Sequence, residues 1–342
     1  MRNRIGIAPN GAIMGAFLGV ITLASLLGAR PAAAESVKEA KQLCTGNPDI
    51  SWSTQVKSCT TLIQSGGDSG QNLAVHHYKR GIAYFNLGEF DKSIADNDQA
   101  LRINPKYEDA LVNRGASYAR KGNIDRAMQD YDQAIRLDAR DPIAFYNRGK
   151  ARLDREQNDL AIQDFNDSLK LNPNNAIALN NRGVAFRNKG DYERATQDYD
   201  LAIKLDDKYN AAYNNRCWSR ALLGHFQNAI ADCDMSLKLK PNDATALDGK
   251  GFTLLKLGQF ERAIAEYNAA LQINPKLASA LYGRGMAKLK RGDRAGGNAD
   301  MGAARALSGS IAAEFARYGI TENEPKRPAS TQSKRPGSSR SE

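Results

Sequence analysis

The chain has 342 residues, of which 42% are hydrophobic and 25% are charged. These fractions are ordinary for a folded soluble protein, and they exclude global disorder and a polytopic membrane protein. Only 7% of the residues are aromatic and 29 are glycine, which argues against a large aromatic-rich core.

The N-terminal stretch 1–34 has the features of a secretory leader. Arg2 and Arg4 precede an apolar run over 12–27, and small residues then lead to Ala34. A positive start, a short apolar stretch and a small-residue site predict cleavage after Ala34 and export to the periplasm, with secretion as the second choice. An uncleaved membrane anchor is the alternative; after cleavage no integral membrane segment is expected.

Residues 35–73 predict a shortened, degenerate helical hairpin, with Cys44 in one helix and Cys59 in the other. Cys217 and Cys233 face each other across a later turn in the same manner. In an oxidising compartment the two pairs predict two disulfides within hairpins, and four buried thiols are the alternative. The cysteines lack the close ligand pairs of a zinc site, and no metal or cofactor is expected.

A strict 34-residue period organises residues 74–311. The motif Asn-Arg-Gly recurs at 113–115, 147–149 and 181–183, and related triplets extend the register to seven units. At the turn that follows the first glycine of each unit, six of the seven units have a second glycine, and Glu156 is the exception. Small residues occupy two further rows of the repeat.

A 34-residue helix–turn–helix with these small and turn positions, as in 181–206 or 251–275, resembles the tetratricopeptide repeat family. The Asn-Arg-Gly repeats are similar to those of exported bacterial members. The resemblance implies an all-α fold, an α-solenoid that forms a right-handed superhelix, with seven tandem repeats over 74–311. One departure is systematic: the family usually has Leu just before the first-helix glycine, where this chain has Arg, or Lys once.

Residues 312–324 predict a capping helix with an apolar side, which repeat arrays need for solubility. Residues 325–342 are rich in Pro, Ser, Lys and Arg and predict a disordered basic tail. The net charge of +10 lies mostly in the leader and this tail. Because the predicted folded body is nearly balanced in charge, nucleic acid is not expected as a partner.

Helical periodicity predicts which face of each first helix is exposed. At about 100° per residue, the apolar rows and the glycine row share one side, so the Asn row and the row after the glycine are expected on the surface. In the resembled family this face lines the concave groove. An amide offers a donor and an acceptor for an extended peptide backbone; the alternative is a solvated, idle row. The candidate amides are Asn113, Asn147, Asn181 and Asn215, widened by Asn180 and Asn214.

An apolar strip is the second candidate on this face. Trp218, Phe252 and Met286 follow the glycine position in successive units, and exposed apolar strips tend to mark binding sites. Burial by superhelical curvature or by the chain's own tail is the alternative. The remaining groove aromatics, which would also suit a sugar, are Tyr78, Tyr146 and Tyr282.

Charged rows repeat with the same period. Each first helix has an Arg or Lys that meets an acid at a fixed place in the following helix, as Arg114 meets Asp130. This match favours a structural ladder of ion pairs over an anion groove. Residues two apart on a helix point to nearly opposite sides, so the Asp-x-Asp pairs do not predict a calcium site.

Signals for catalysis are nearly absent. The Gly-Asp-Ser-Gly stretch at 67–70 resembles a serine-protease loop but lies between helices. The sequence therefore predicts a non-catalytic exported scaffold or adaptor that binds a protein or an extended peptide in the groove. Two alternatives remain: a carbohydrate-binding accessory protein of envelope or polysaccharide assembly, and a structural protein that associates with itself.

Overall fold

A computed structural model describes residues 37–47 and 49–322 of the chain. These residues form 17 α-helices and no strand, so this part of the chain is an all-α array of helical repeats. The predicted leader and the predicted basic tail lie outside the described residues. The chain divides into two compact units between Asp207 and Lys208.

Unit 1 contains an N-terminal hairpin followed by four helix pairs. In each pair we call the first helix A and the second helix B. The hairpin is α1 (Val37–Leu43) and α2 (Trp52–Ser65), and the four pairs are α3 (Gly70–Asn86) with α4 (Phe90–Ile103), α5 (Glu108–Arg120) with α6 (Ile124–Leu137), α7 (Pro142–Asp154) with α8 (Asn158–Leu171), and α9 (Ala176–Asn188) with α10 (Tyr192–Leu205).

Unit 2 contains three helix pairs and a short final helix. The pairs are α11 (Asn210–Leu222) with α12 (Phe226–Leu239), α13 (Ala244–Lys256) with α14 (Phe260–Ile273), and α15 (Ala278–Arg291) with α16 (Arg294–Leu307), followed by α17 (Ile311–Arg317). The final helix is shorter than the 312–324 predicted for a capping helix and begins one residue earlier.

Local sequence signals set where the helices begin and end. The Asp141 side chain caps α7 by accepting from the backbone N–H groups of Ile143 and Ala144, each at 3.0 Å, and Pro142 follows at the first helical position. Most A helices lead to a turn glycine with a left-handed backbone, such as Gly190 at φ 81°. Glu156 adopts the same conformation at φ 58°, which costs a residue with a side chain more than it costs glycine.

Close packing of A on B explains the first glycine row, that of the Asn-Arg-Gly motif. A Cβ at Gly183 would lie 2.6 Å from the Tyr199 ring, a separation that real Cβ atoms do not reach. Glycine is therefore required where the fully buried ring meets the A helix. In α11 and α12, Cys217 and Cys233 occupy these two positions and are joined by a disulfide. A covalent bond stands there in place of the glycine–ring contact.

Candidate functional site

The Arg residues that precede the glycine of each A helix form ion pairs within the array. Arg114 Nη2 donates to Asp130 Oδ1 at 2.6 Å, and Arg114 Nε donates to Asp130 Oδ2 at 2.9 Å. Burial alone would lower the pKa of Arg114, but hydrogen bonds to Asp130 and Asp98 outweigh burial and raise the pKa. The guanidinium is thus charged and already paired, which is the arrangement of a structural ladder.

The second acid of the Asp-x-Asp pairs has a role that the sequence analysis missed. Arg114 Nη1 donates to Asp98 of the preceding repeat at 2.6 Å, and Arg148 Nη1 donates to Asp132 at 2.7 Å. The first acid therefore binds the Arg of its own repeat and the second binds the Arg of the next repeat. Because both acids recur from repeat to repeat, the sequence contained a signal that the second acid also has a structural partner.

Half of the predicted amide row is buried. Asn113 and Asn147 are 2% and 0% exposed, whereas Asn181 and Asn215 are half-buried. The expectation that the whole row lies on the surface is therefore wrong. The periodicity argument considered A helices packed on B helices, but consecutive A helices also pack on each other, as α3 on α5 and α5 on α7. Helix α5 also contacts the B helix of the preceding repeat: Asn113 faces inward and donates to Asn97 Oδ1 of α4 at 3.4 Å.

An amide cluster of Tyr146, Asn180 and Asn181 joins α7 to α9 in unit 1. Asn181 Nδ2 donates to the Tyr146 hydroxyl at 3.1 Å, and Asn180 Nδ2 donates to Asn181 Oδ1 at 3.4 Å. Tyr146 and Asn180 are buried, so Asn181 is the member of the cluster that a ligand can reach. Lys150 and Val184, one turn further along the same two helices, are also half-buried.

The predicted apolar strip of unit 2 is covered. Phe252 and Met286 are 0% exposed, and Trp218 is half-buried with its ring stacked on Phe252 at a centroid distance of 4.5 Å. The expectation of an exposed strip is wrong because residues 311–322, here called the C-terminal segment, fold onto it. This segment contributes Phe315 and Tyr318 to the aromatic cluster.

The tyrosines predicted to line the groove are also buried. The exposed fractions of Tyr78, Tyr146 and Tyr282 are 7%, 5% and 2%. Tyr78 packs against Tyr107 at a centroid distance of 5.1 Å, and Tyr282 packs against Phe315 at 4.7 Å. None of the three rings presents a free face for stacking, contrary to the sequence expectation.

The amide row ends in unit 2 because its space is filled. Gly249 and Gly283 occupy the Asn position in the last two repeats. A Cβ at Gly249 would lie 2.7 Å from Trp218 Nε1, and a Cβ at Gly283 would lie 2.3 Å from the Tyr267 hydroxyl. The two aromatic side chains therefore exclude any larger residue at these positions.

A buried acid on the A helices of unit 2 was also missed. Asp248 is 3% exposed; its Oδ2 accepts from Ser279 Oγ at 2.5 Å, and its Oδ1 has no hydrogen-bond partner among the described residues. Burial raises the pKa of Asp248 to about 7, opposed by the Ser279 hydrogen bond and assisted by the charge of Glu314. Asn214, one repeat earlier in the same row, is half-buried and donates to Thr245 Oγ1 at 3.2 Å. At the equivalent position of the other repeats the residue is Tyr, Val or Asn, so the single acid at this position was the sequence signal that could have singled out Asp248.

Both cysteine pairs form disulfides in the structure. The Cα atoms are 4.9 Å apart in Cys44–Cys59 and 5.5 Å apart in Cys217–Cys233. Beside the first bond, His76 Nε2 lies 3.1 Å from Asp68 Oδ2. This hydrogen bond is the main reason why the pKa of Asp68 is lowered. It ties the connection after the hairpin to α3.

Within residues 37–47 and 49–322, no three or more His, Cys, Asp or Glu side chains are grouped so that they could hold a metal ion. None of the helices described is both long enough and apolar enough to cross a membrane.

Family comparisons agree with this helical-repeat architecture. The profile of the tetratricopeptide repeat matches residues 74–107 and 146–210, and that of the TPR repeat matches residues 117–154 and 251–292. These matches fall on A and B helices of both units. The repeat array belongs to the tetratricopeptide repeat family. Among curated proteins, none matches this chain.

Solved structures with the same fold include three at low sequence identity. The crystal structure of the APC/C hetero-tetramer Cut9-Hcn1 matches with 20% identity and a TM-score of 0.59, covering 73% of this chain and 51% of that chain. This chain thus spans about half the length of that protein. A tetratricopeptide repeat protein from Parabacteroides merdae matches with 19% identity and a TM-score of 0.59, covering 72% and 99%. The C-terminal part of a TPR repeat-containing protein from Cytophaga hutchinsonii matches with 16% identity and a TM-score of 0.53, covering 72% and 99%. At such identities the similarity shows the fold alone.

Proposed function

We propose that this protein is a non-catalytic exported scaffold that binds a protein segment or an extended peptide along the A helices of its repeats. Membership of the tetratricopeptide repeat family supports the general class, because such arrays present helix faces to protein partners.

The observation that carries the proposal is the amide cluster of unit 1. A peptide backbone presents one donor and one acceptor at each residue, and a side-chain amide can satisfy both. Asn181 is half-buried and held in place by Tyr146 at 3.1 Å, so little side-chain freedom remains to be lost on binding. The buried Tyr146 supplies no open aromatic face on which a sugar ring could stack.

Export is part of the proposal. The leader pattern at 1–34 supports it, and the two disulfides are compatible with an oxidising compartment such as the periplasm. The short spacing of each pair, 15 and 16 residues, allows each bond to form within a single hairpin.

Peptides selected from a random library on the immobilised full chain provide the test. We expect Asn181→Ala to weaken binding of a selected peptide by about 10-fold, the equivalent of one or two lost hydrogen bonds. The matched control is Gln163→Ala, which removes an exposed amide from a B helix. Equal affinities for Asn181→Ala and the unaltered chain would contradict the proposal, as would a library that yields no binder.

A further inference from the structure

The C-terminal segment lies against three A helices of unit 2 through two aromatic side chains. The Phe315 ring lies 6.0 Å from the Phe252 centroid and 4.7 Å from that of Tyr282. The Tyr318 ring lies 5.7 Å from Phe252 and 6.4 Å from Trp218. These contacts reach α11, α13 and α15. They place two aromatic residues, three positions apart, on the strip that would otherwise be open.

Directional polar contacts fix the same segment. Lys256 Nζ donates to the Tyr318 carbonyl oxygen at 2.8 Å. The Tyr282 hydroxyl donates to Glu322 Oε1 at 2.9 Å, and Glu322 also pairs with Arg305. The A-helix face of unit 2 thus recognises a backbone carbonyl and a carboxylate in addition to the two rings.

The fit has one unfavourable element. Glu314 lies close enough to the buried Asp248 to raise the pKa of that carboxyl, although its Oε1 also accepts from the Tyr318 hydroxyl at 2.9 Å. Asp248 Oδ1 has no hydrogen-bond partner in the described part of the chain. Two acids near each other disfavour the bound segment, and a neutral or basic side chain in the place of Glu314 would remove that cost. The seven-residue α17 is also too short to be stable by itself.

We propose that this face of unit 2 is a docking site for short helical segments of a partner protein that carry two aromatic residues three positions apart. The chain's own residues 311–322 occupy the site until such a segment displaces them. The inference rests on the proposed function, because it names the kind of segment that one part of the array binds.

A synthetic peptide of residues 308–322 serves as the probe, in its native sequence and with Glu314→Gln. The receptors are the unaltered full chain, a full-length Phe315→Ala/Tyr318→Ala variant, and a full-length Arg317→Ala control, which changes an exposed residue of the same helix. Binding is measured by titration with Trp218 fluorescence, in a Trp52→Phe background so that the signal comes from unit 2.

We expect the double variant to bind the native peptide much more tightly than the unaltered chain does. A tethered segment has an effective concentration of about 1 mM, so a free peptide with a Kd of about 10–100 µM would bind the unaltered chain roughly 10- to 100-fold more weakly. The Arg317→Ala chain should behave like the unaltered one. The Glu314→Gln peptide should bind the double variant more tightly than the native peptide.

Several results would overturn the inference. One is a folded double variant, judged by helical circular dichroism, that does not bind the peptide; another is equal binding by the double variant and the unaltered chain. If the double variant does not fold, Glu322→Ala, which removes the contacts with Tyr282 and Arg305, should show a smaller gain in peptide affinity, and no gain would refute the inference. A concentration-dependent dimer that exchanges residues 311–322 would assign the site to a second copy instead. If this experiment fails but Asn181→Ala still weakens the binding of a library-selected peptide, the docking site in unit 2 is refuted and the proposed function is not.

Discussion

The Cys217–Cys233 bond can be replaced by the contact that other repeats use at the same two positions. The double substitution Cys217→Gly/Cys233→Tyr restores the glycine and the tyrosine ring of the pair Gly183 and Tyr199. The comparison variant Cys217→Ala/Cys233→Ala removes the bond without supplying a ring. If the bond occupies the packing position of the ring, the first variant should be much more stable than the second.

The expected magnitudes follow from loop length and burial. A disulfide that spans 16 residues stabilises the native state by about 3 kcal/mol through the constrained unfolded chain. Full burial of a large apolar side chain contributes about 1.5–3 kcal/mol, and the equivalent Tyr199 is 0% exposed. The glycine–tyrosine variant should therefore lie within about 1–2 kcal/mol of the oxidised protein. The alanine pair should lose about 3 kcal/mol.

Urea unfolding followed by Trp218 fluorescence measures both variants, again in a Trp52→Phe background. Reductant should destabilise the unaltered unit 2 by about 3 kcal/mol and leave the glycine–tyrosine variant unchanged. A glycine–tyrosine variant no more stable than the alanine pair would refute the idea that bond and ring are equivalent solutions to one packing problem.

Three further predictions concern other features of the fold. Replacing Glu156, whose φ is 58°, by glycine should stabilise unit 1 by ~0.5–1 kcal/mol in urea unfolding, while Glu156→Ala should give no gain. Arg148→Ala leaves the buried Asp164 with one cation fewer and should cost about 3 kcal/mol, whereas Asp132→Ala, at an exposed partner of the same Arg, should cost less than ~1 kcal/mol. Because the folded pKa of Asp248, about 7, exceeds the ordinary 3.8, the contribution of this carboxyl to the stability of unit 2 should be fully present below about pH 4 and should fall by up to ~4 kcal/mol as the pH rises to 7. Asp248→Asn should abolish that slope and be the more stable protein at pH 8.

Each of these has a result that would contradict it. Equal stability of the glycine and alanine variants at position 156 would mean that the left-handed turn stores no strain. Equal costs for Arg148→Ala and Asp132→Ala would mean that burial of the acid does not matter. An unchanged pH slope in Asp248→Asn would show that groups other than this carboxyl, which faces Ser279, Glu314 and Tyr267, control the pH response.

The repeat register predicted the helical architecture because every repeat obeys the same local rules. The glycine rows at Gly183 and Gly190 and the small-residue rows recur from one repeat to the next, and each row maps to one packing contact or one turn. Since repeats contact mainly their neighbours, a local pattern is sufficient to specify helix pairs.

The candidate site was less predictable, because it depends on contacts between helices that are distant in the sequence. A helical wheel for one hairpin cannot show that its A helix also packs on the preceding repeat, as α5 does on α3 and α4 and α7 does on α5 and α6. Asn113 and Asn147, on α5 and α7, are both buried, and Asn113 bonds to Asn97 of α4. Nor does such a wheel show that Phe315, which lies far beyond Phe252 in the chain, covers that ring. The second acid of each Asp-x-Asp pair was missed for the same reason, since its partner belongs to the next repeat.

Where a bound segment lies can be measured by photo-crosslinking. A library-selected peptide with a photoreactive residue is bound to the unaltered full chain, and the crosslinked residues are identified by mass spectrometry. Crosslinks to the half-buried residues of α7 and α9, around Asn181 and Val184, are the expected result for a scaffold that binds segments along its A helices. Crosslinks confined to the B helices α8 and α10 would contradict it.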